Sequence, residues 1–527
     1  MAQRIPSSVN VLNPTIQAPF YPNPCPSNYN YNNRTTQHLH HRSTSTMSQK
    51  IQQLHSNYCI RAYYQYFHDA HPLLLPLQVL EGGLGTQHIP EKVIAVMQYI
   101  GSHFLTTNSN TTTEHETSNR GHRRRISGSL PEPSQSPGRE GTAQNALERE
   151  AFSCLSRPEE DGYQVQCMLL LSITAHAHGN FLDAIRFIKS ATSLALKLGM
   201  HRYSFSVVHG YGSPLLEEMW RRCYWELFVV ESLLCALIEE SAELYRVASD
   251  VPLPCDEGMM DLHIYSSPSH GQDTIQDLLN HCQNRAQLVD PLPSFAYRIT
   301  AAHFLGSVLS SRNSRYDDTT TSNQLERLYP RLMEHVDHKY SIGGIISQPD
   351  HIAQMLSQSK VIACSAMIYF YRQTSQLTPI KLQRNFFYDQ SASYSSGITS
   401  PVFPSSFILQ SKHSPNSNDF KHNPTSDPSS MHLISTAKHL ATQLNDPRLV
   451  RGTSPLIIDA IALAMLVEMA ALLIPSLDAT LKERLENEFG NSLGVLKKFA
   501  ARWPLAKTVR DLLIDEYENL FRPERAR

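Results

Sequence analysis

Residues 214–237 read PLLEEMWRRCYWELFVVESLLCAL, and this stretch decides the fold. It begins with a proline, which is favoured at the first position of a helix because its missing N–H has no intrahelical partner there. Glu217 and Glu218 follow in the first turn, where the positive end of the helix dipole favours acidic groups. Apolar residues then recur at intervals of three and four, at Leu216, Met219, Cys223, Leu227, Val230, Leu234 and Leu237. That spacing predicts a long helix with one continuous apolar face.

The sequence before this stretch predicts a helical hairpin. Residues 163–178 form one apolar segment, and residues 180–198 form a second in which apolar positions share one face. Asn180 is typical of a helix N-cap, and Gly199 is typical of a C-cap because glycine adopts the left-handed conformation at low cost. Gly179 and Asn180 therefore mark the turn between two packed helices.

Helical patterns continue on both sides of this central part. A short helix is expected before Pro72, and another is expected from Pro90 through Phe104. Further helices are predicted at residues 273–289, 296–311, 324–340, 351–374, 431–444, 455–474, 478–501 and 505–521. No alternating apolar pattern of useful strand length is present, so the predicted class is all-α with many helices.

Polar, proline-rich segments divide the chain. They cannot bury enough apolar area to offset the entropy lost on ordering, so they are predicted to be disordered or flexible. The predicted organisation is a disordered segment at residues 1–50, a helical domain at 55–375 with a flexible insert at 106–142, a disordered insert at 390–430, and a helical continuation of the same domain at 431–523.

Charge and cysteine content restrict the function classes. The 527 residues carry a formal net charge of -2, so no global basic field is available to hold nucleic acid. The nine cysteines include no CxxC pair, which excludes a zinc ribbon or a thioredoxin-like motif within these residues. Cys167, Cys223, Cys235 and Cys364 lie in apolar helical segments, which favours buried thiols in a reducing, intracellular compartment.

Sequence blocks in a fixed order point to a known family. They are VQCMLLL at 165–171, ATSLALKLGMHR at 191–202, EMWRRCYW at 218–225 and DVPLP at 250–254. Together they resemble the middle homology region of fungal zinc binuclear cluster transcription factors, and with the upstream Tyr64–Pro76 segment the resemblance covers about residues 55–310. It implies a large helical regulatory domain. It also implies that structural motif positions are held by Gly199, His201, Arg202, Glu218, Arg221, Arg222, Trp225, Asp250, Pro252 and Pro254.

Two departures from the family pattern stand out. Family members carry Asp near position 231 and a Gly-x-Pro turn near position 240, whereas this chain has Glu231 and then Glu239-Glu240-Ser241-Ala242. The family's zinc cluster also needs six closely spaced cysteines to share two zinc ions, and these residues contain no such set. Zinc is therefore expected only in a cluster absent from this chain, and we predict no other cofactor and no metal or catalytic residues here.

The paired arginines of the third block have two interpretations. Arg221 and Arg222 could contact an anion or a partner. The favoured interpretation is that they lie opposite the apolar face and pair with Glu218 or Glu226 at helical spacing.

The tryptophans, the paired histidines and the most apolar stretch each have a structural and a functional interpretation. Trp220 and Trp225 could line a small-molecule pocket, but core packing is favoured because tryptophan buries so much area. His176 and His178 lie two apart on a helix and so point away from each other, which disfavours joint metal ligation. Residues 456–474 are the most apolar stretch, but the acidic residues within it favour a buried helix over a membrane span.

A basic run lies in the predicted 106–142 insert. Arg123, Arg124 and Arg125 are followed by Ser127, and the four residues could form a nuclear import patch or a phosphorylation site. Phosphate on Ser127 would mask the neighbouring guanidinium charge. A solvated charge run with no further role is the alternative.

The resemblance implies a nuclear transcription factor that regulates target genes in a fungus, such as a secondary-metabolite biosynthetic cluster. DNA contact would come from a missing module or from a partner, and a homodimer or heterodimer with a zinc-cluster regulator and a small-molecule effector are further candidate partners. The alternative is a finger-less interaction protein that dimerises with or titrates a full zinc-cluster regulator. An enzyme is disfavoured because no GxSxG, HExxH, Walker or GxGxxG motif is present.

Overall fold

The described part of the chain is helical and contains no β-strand, which confirms the all-α class. The computed structural model describes residues 58–81, 88–111, 139–156, 159–255, 274–283, 292–311, 319–342, 350–377, 427–444 and 454–522. The helices are α1 (Tyr58–Tyr66), α2 (Leu77–Glu81), α3 (Glu91–Thr111), α4 (Arg139–Ser156), α5 (Gly162–Ala177), α6 (Phe181–Leu198), α7 (Tyr203–His209), α8 (Pro214–Leu237), α9 (Ile275–Gln283), α10 (Ser294–Ser311), α11 (Thr319–Ile342), α12 (Asp350–Tyr371), α13 (Pro428–Gln443), α14 (Ile457–Leu472), α15 (Ala479–Ala500) and α16 (Pro504–Phe521). Two 3₁₀ turns complete the set, at His68–Ala70 and Leu244–Arg246.

The helices pack as pairs around one hydrophobic core. The closest neighbours are α10 with α12, α5 with α6, and α1 with α3, and helix α8 contacts α5, α6, α7 and α10. The last four helices join the same core rather than forming a separate one. Trp503, just before α16, packs edge-on against Phe67 and Phe104 with ring centroids 6.5 and 5.2 Å away. Aromatic packing of this kind ties the C-terminal helices to the first ones.

The predicted hairpin is formed by α5 and α6. Asp161 caps α5 by accepting the N–H of Gln164 at 2.7 Å. The turn is so short that Asn180 serves both helices, because its N–H closes α5 on the carbonyl of Ala175 at 2.8 Å. Its side chain makes no cap hydrogen bond to α6, unlike the prediction from its residue type. Gly199 ends α6 in the left-handed conformation, with φ of 75°, as the sequence predicts.

Helix α8 is buried around almost its whole circumference, so the single apolar face predicted for it was too narrow. Helices pack against it from several sides, which leaves few positions for solvent. Arg222 is consequently buried, where the sequence predicted an outward-facing residue. Burying a charge without a partner costs roughly several kcal/mol. The charged residues of this helix must therefore be paired within the core.

Some segments differ from the sequence prediction, and others fall outside the described residues. Helices α4 and α7 were not predicted, because α7 has only seven residues and α4 has few apolar positions. Helix α13 begins at Pro428 rather than residue 431, since Asp427 caps it by accepting the N–H of Ser430 at 3.0 Å. The predicted disordered segment 1–50, most of the insert at 106–142 and nearly all of the insert at 390–430 lie outside the described residues.

Candidate functional site

The central helix α8 carries charged side chains into the core at Glu218, Arg222, Glu226 and Glu231, all at most 2% exposed. Each glutamate binds a different part of the chain. Their spacing along α8 therefore gives the molecule a buried polar axis, defined here as these four residues and their hydrogen-bond partners.

Glu218 forms the first anchor of the buried polar axis. Its carboxylate accepts hydrogen bonds from Arg221 Nη2 at 2.7 Å, from Arg222 Nε at 3.0 Å and from the backbone N–H of Cys255 at 2.9 Å. Arg222 also donates from Nη2 to the carbonyl of Cys255 at 3.0 Å. The i,i+4 pairing with Glu218 agrees with the sequence prediction, whereas Glu226 pairs elsewhere.

The last motif block reaches the same helix through its backbone and a carboxylate. Trp225 donates from Nε1 to the carbonyl of Pro252 at 3.0 Å within the core. Asp250 Oδ1 accepts the N–H of Tyr203 at 2.7 Å, at the start of α7. The structure thus brings together the second and third blocks of the sequence motif through one short segment.

The residues around the end of α6 lie at this junction. Arg202 is the residue before α7, and its Nε lies 3.4 Å from Nε2 of His201. Partial burial and the adjacent Arg202 charge lower the pKa of His201. Pro254 is buried next to Cys255. The ten predicted motif positions lie on α8 or in the segments that follow α6 and α8.

Glu226 forms the second anchor, which sequence reasoning missed. Arg298 on α10 grips it with two nitrogens, one of them Nη2 at 2.9 Å from Oε1, and neither side chain has exposed area. His71 donates from Nδ1 to Oε1 at 2.8 Å. Burial alone would raise the pKa of Glu226, but Arg298 and His71 together lower it to about 2. Burial lowers the pKa of His71, so its imidazole is neutral and Nδ1 carries the proton.

A sequence signal for this anchor existed. Arg298 is the sole charged residue of α10, SFAYRITAAHFLGSVLSS, whose side chains are otherwise apolar or weakly polar. A charge inside such a helix needs a buried partner. Only the tertiary packing shows that the partner is Glu226.

Glu231 forms the third anchor and supports the turn at which this chain departs from the family pattern. It accepts the backbone N–H groups of Glu243 and Leu244, each at 3.0 Å. Burial nevertheless raises its pKa. Glu239 adopts a left-handed φ of 55°, a conformation that favours glycine. Its carboxylate pairs with Arg372, the residue that follows α12, which offers a physical reason for a non-glycine residue at this strained position.

Other sequence-predicted residues lie apart from the buried polar axis. Trp220 is buried in the core and donates to the carbonyl of His209 at 3.0 Å. Nε2 of His176 lies 2.8 Å from Oδ2 of Asp459 on α14, and Nε2 of His178 lies 3.3 Å from Nδ1 of His103 on α3. Within the described ranges no group of three or more metal-ligating side chains is placed to hold a metal ion.

The basic run Arg123, Arg124, Arg125 and its neighbour Ser127 lie outside the described residues, so their predicted roles stay predictions. The apolar stretch at 456–474 forms the buried helix α14. No helix in the described ranges has both the length and the apolar character that crossing a bilayer requires.

The motif geometry agrees with a family assignment. The model of the "Fungal specific transcription factor domain" matches residues 60–334, which is about half of the chain. The chain belongs to this family. The matched region runs from α1 into α11 and contains all three anchors of the buried polar axis. Helices α12 to α16 lie beyond the matched region, and their buried residues pack into the same hydrophobic core.

A curated relative supports the same assignment. The chain is similar to the C6 finger domain transcription factor iacK of Pestalotiopsis fici, with 23% identity over 316 residues. The match covers 59% of this chain and 41% of the relative, so this chain spans less than half of the relative's length. No solved structure matches the chain.

Proposed function

We propose that this chain is the regulatory region of a fungal transcription regulator that acts in the nucleus. The observation that carries the proposal is the buried polar axis of α8. It links the motif segments of a transcription factor domain family into one helical unit. All three of its glutamates are engaged by hydrogen-bond donors, which suits a supporting role better than proton transfer to a substrate.

Sequence-specific DNA contact, in this proposal, belongs to a zinc cluster in another part of the protein or in a dimer partner. The name of the relative, a C6 finger transcription factor, supports that arrangement. The net charge of -2 also gives this chain no general attraction to the phosphate backbone. Zinc would then be bound by the cluster, and we propose no cofactor for the helical domain itself.

Two measurements test the proposal together. The purified chain should show no sequence-selective binding to operator DNA in a gel shift at physiological salt. The same chain fused to an unrelated DNA-binding domain should change the output of a reporter gene relative to that domain alone. Salt-resistant, sequence-selective binding by the chain, or a fusion that leaves the reporter unchanged, would count against the proposal.

A second candidate is a finger-less protein that dimerises with or titrates a full zinc-cluster regulator. The observation that favours it is an exposed apolar segment on and after α7, where Val208 is 65% and Tyr211 is 70% exposed. Exposed apolar residues grouped in this way are typical of interaction surfaces. Serine substitution at both positions should reduce recovery of a zinc-cluster partner in a pull-down. Leu182→Ser, at another exposed apolar position on α6, should leave recovery unchanged.

The target genes form a finer part of the proposal, and we propose a secondary-metabolite biosynthetic cluster. Transcript profiling of a strain that lacks this gene tests it directly. Reduced or increased expression across one contiguous cluster supports the proposal. Changes confined to scattered primary-metabolic genes contradict it.

A small-molecule effector would need a cleft, and the described residues offer one of about 350 Å³. It lies beside α1 and is lined in part by Arg61, Tyr64, His68, Asp69 and His351. Its mixed charge suits a polar ligand better than an apolar one. A thermal-shift screen of polar metabolites, repeated with Arg61→Ala, tests whether ligand-induced stabilisation depends on this cleft.

A further inference from the structure

Two histidines from different helices face each other where α3 and α5 meet. His103 lies on α3, and His178 is the C-cap residue of α5. Nε2 of His178 lies 3.3 Å from Nδ1 of His103, and the two ring centroids are 4.3 Å apart. Both side chains are half-buried. Helical spacing separates His178 from His176, and only the packing of α3 against α5 brings His103 beside it.

A backbone carbonyl fixes the tautomer of His178. Its Nδ1 lies 2.7 Å from the carbonyl oxygen of Thr174, one turn earlier in α5. A carbonyl oxygen only accepts hydrogen bonds, so Nδ1 of His178 carries a proton. In the neutral imidazole the other nitrogen, Nε2, is then an acceptor. This acceptor is the atom that faces His103.

Gln144 of α4 extends these contacts to a third helix. Its amide nitrogen lies 2.9 Å from Nδ1 of His103, the same atom that faces His178. An amide nitrogen only donates, so Nδ1 of His103 is an acceptor in this contact. Two acceptor nitrogens then face each other at 3.3 Å unless a proton lies between them. A proton on Nε2 of His178 satisfies the contacts from Gln144 through both histidines to Thr174.

The same groups also have a neutral arrangement. When the amide of Gln144 turns over, its oxygen accepts from Nδ1 of His103, and this N–H also points to Nε2 of His178. Both rings are then neutral, and each shared hydrogen has an acceptor. The two arrangements differ by one proton and by one rotation of an amide, so the contact of α3, α4 and α5 depends on whether that proton is bound.

Little charge surrounds the histidine pair. Within the described residues, neighbouring helices bring these charged or titratable groups to this end of α5: Tyr99 of α3, Glu148 of α4, Arg186 of α6 and Asp459 of α14. Arg186 is bound by Asp183 at 2.9 Å, and Asp459 is bound by His176 at 2.8 Å. Helix α1 packs against α3 at Gly101, two residues from His103 and so on a different face. Glu148, one turn after Gln144, is therefore the charge that acts on His178.

Burial opposes the charged form of both rings. It lowers the pKa of His178 against the raising effects of the Thr174 carbonyl and of Glu148. Burial, followed by the charge of His178, lowers the pKa of His103 to about 3. The pair therefore takes up one proton, at His178, well before a second. Since the folded pKa values lie below the ordinary 6.5, the stability from the neutral pair is present above about pH 6.5 and is lost as the pH falls.

We propose that His103, His178 and Gln144 form a proton-binding switch, which holds α3, α4 and α5 together when the histidines are neutral and loosens this junction when one proton binds. A half-buried imidazolium is better solvated when the helices separate, so the proton favours opening. Because α5 packs against α8, loosening here reaches the helix that bears the buried polar axis. The switch is independent of the proposed regulatory function, since its protonation is measured on the purified chain.

NMR of the full chain, labelled with carbon-13 in the histidine rings, tests the uptake of one proton. His178 should titrate below about pH 6.5, while His103 should stay neutral down to about pH 4. His178→Asn retains a side-chain N–H for the Thr174 carbonyl but has no titrating ring. It should raise the pKa of His103, because the neighbouring charge is gone. His303→Gln is the matched control, since that half-buried histidine has a pKa lowered to about 4 by burial alone, and it should leave both titrations unchanged.

Hydrogen exchange tests the loosening of the junction. At about pH 5.5, one unit below the ordinary histidine pKa, one suppressed protonation changes an opening equilibrium about tenfold. After correction for the intrinsic pH dependence of exchange, amides of α3, α4 and the end of α5 should lose about tenfold protection between about pH 7.5 and pH 5.5. The loss should be about threefold at most in His178→Asn and should match wild type in His303→Gln.

Two results would overturn the proposal. One is an unchanged titration of His103 in folded His178→Asn protein, and the other is an equal loss of protection on acidification in wild type and His178→Asn. If the variant does not fold, the wild type decides alone. Two histidines of the pair that titrate together near pH 6.5, or protection of α3 to α5 that stays constant with pH, would contradict the switch.

Discussion

Replacing Glu226 by glutamine keeps the size of the side chain and removes the carboxylate charge that Arg298 faces in the core. The guanidinium of Arg298 would then be a buried charge, with no exposed area, held by a neutral amide. The amide oxygen can still accept from His71, but the amide NH2 that replaces the other oxygen would face an Arg298 donor, so the substitution removes the charge and one hydrogen bond together. The expected effect is a marked loss of stability without a change of fold.

Two routes give the same magnitude for this loss. Breaking a buried ion pair by removing one partner costs about 3–5 kcal/mol, and the oxygen that glutamine keeps for His71 and one Arg298 nitrogen places Glu226→Gln near the lower end. Independently, the pKa of Glu226 falls from its ordinary 4.5 to about 2, and that shift corresponds to about 3 kcal/mol of favourable interaction with the charged form. A loss of about 3 kcal/mol should lower the melting temperature by roughly 3 °C in a protein of this size.

Urea unfolding followed by circular dichroism measures the loss, and a double-mutant cycle with Arg298→Met isolates the pair. We expect the double variant to lose less stability than the two single variants lose in sum. When both Glu226 and Arg298 are replaced, no unpaired charge remains in the core. Glu217→Gln on the same helix is the control and should stay within about 0.5 kcal/mol of wild type. A loss below about 1 kcal/mol for Glu226→Gln, or strict additivity in the cycle, would refute the reasoning.

The lowered pKa of Glu226 also predicts how the stability of the protein depends on pH. Since its folded pKa lies below its unfolded value, the stability from Glu226 is present above about pH 4.5 and is lost as the pH falls toward 2. The stability difference between wild type and Glu226→Gln should therefore shrink across that window. A difference that stays constant from pH 6 to pH 2.5 would contradict the assignment of the charge.

Four further substitutions test other features, each by chemical unfolding. Glu468 is fully buried, neither carboxylate oxygen has a hydrogen-bond partner among the described residues, and burial followed by the charge of Glu488 raises its pKa to about 8. The stability that its protonated form contributes is complete below pH 4.5 and is lost as the pH rises through about 8. Glu468→Gln should therefore stabilise the protein by about 2–4 kcal/mol at pH 8 and by little at pH 4. Gly101→Ala should cost at least about 3 kcal/mol, because its Cβ would meet the carbonyl oxygen of a neighbouring helix at 1.8 Å, whereas Gly490→Ala, whose Cβ meets open space, should stabilise α15 by about 0.5–1 kcal/mol. Gly199→Ala also meets open space but must adopt φ of 75°, so it should cost about 1–2 kcal/mol through backbone strain alone, and a neutral result would contradict that account.

Several elements could be predicted from local chemistry. Helix ends follow from local signals, namely the proline that starts α8, the glycine that ends α6 and the apolar spacing within each helix. Each signal acts within a few residues of itself. Weaker signals failed for a physical reason. Helix α7 has seven residues and α4 has few apolar positions, so their helical state depends on packing rather than on pattern.

The contacts of the candidate site also include some that local spacing predicts and others that it does not. Glu218 and Arg222 lie four apart on one helix, so their pairing follows from helical geometry. Glu226 and Arg298 lie 72 residues apart, and the sequence placed Glu226 beside the wrong arginine. Periodicity states which residues share a helix face, but it contains no information on which distant helix covers that face.

By itself, the sequence determined that this chain is an all-α protein with the motif blocks of a fungal transcription factor domain, because helix signals and motif order are properties of neighbouring residues. Only the tertiary structure decided that α8 is enclosed on nearly all sides and that its three glutamates each hold a different segment. The physical reason is that a buried charge must find its partner in three dimensions. The identity of that partner is set by how helices pack, which no local pattern encodes.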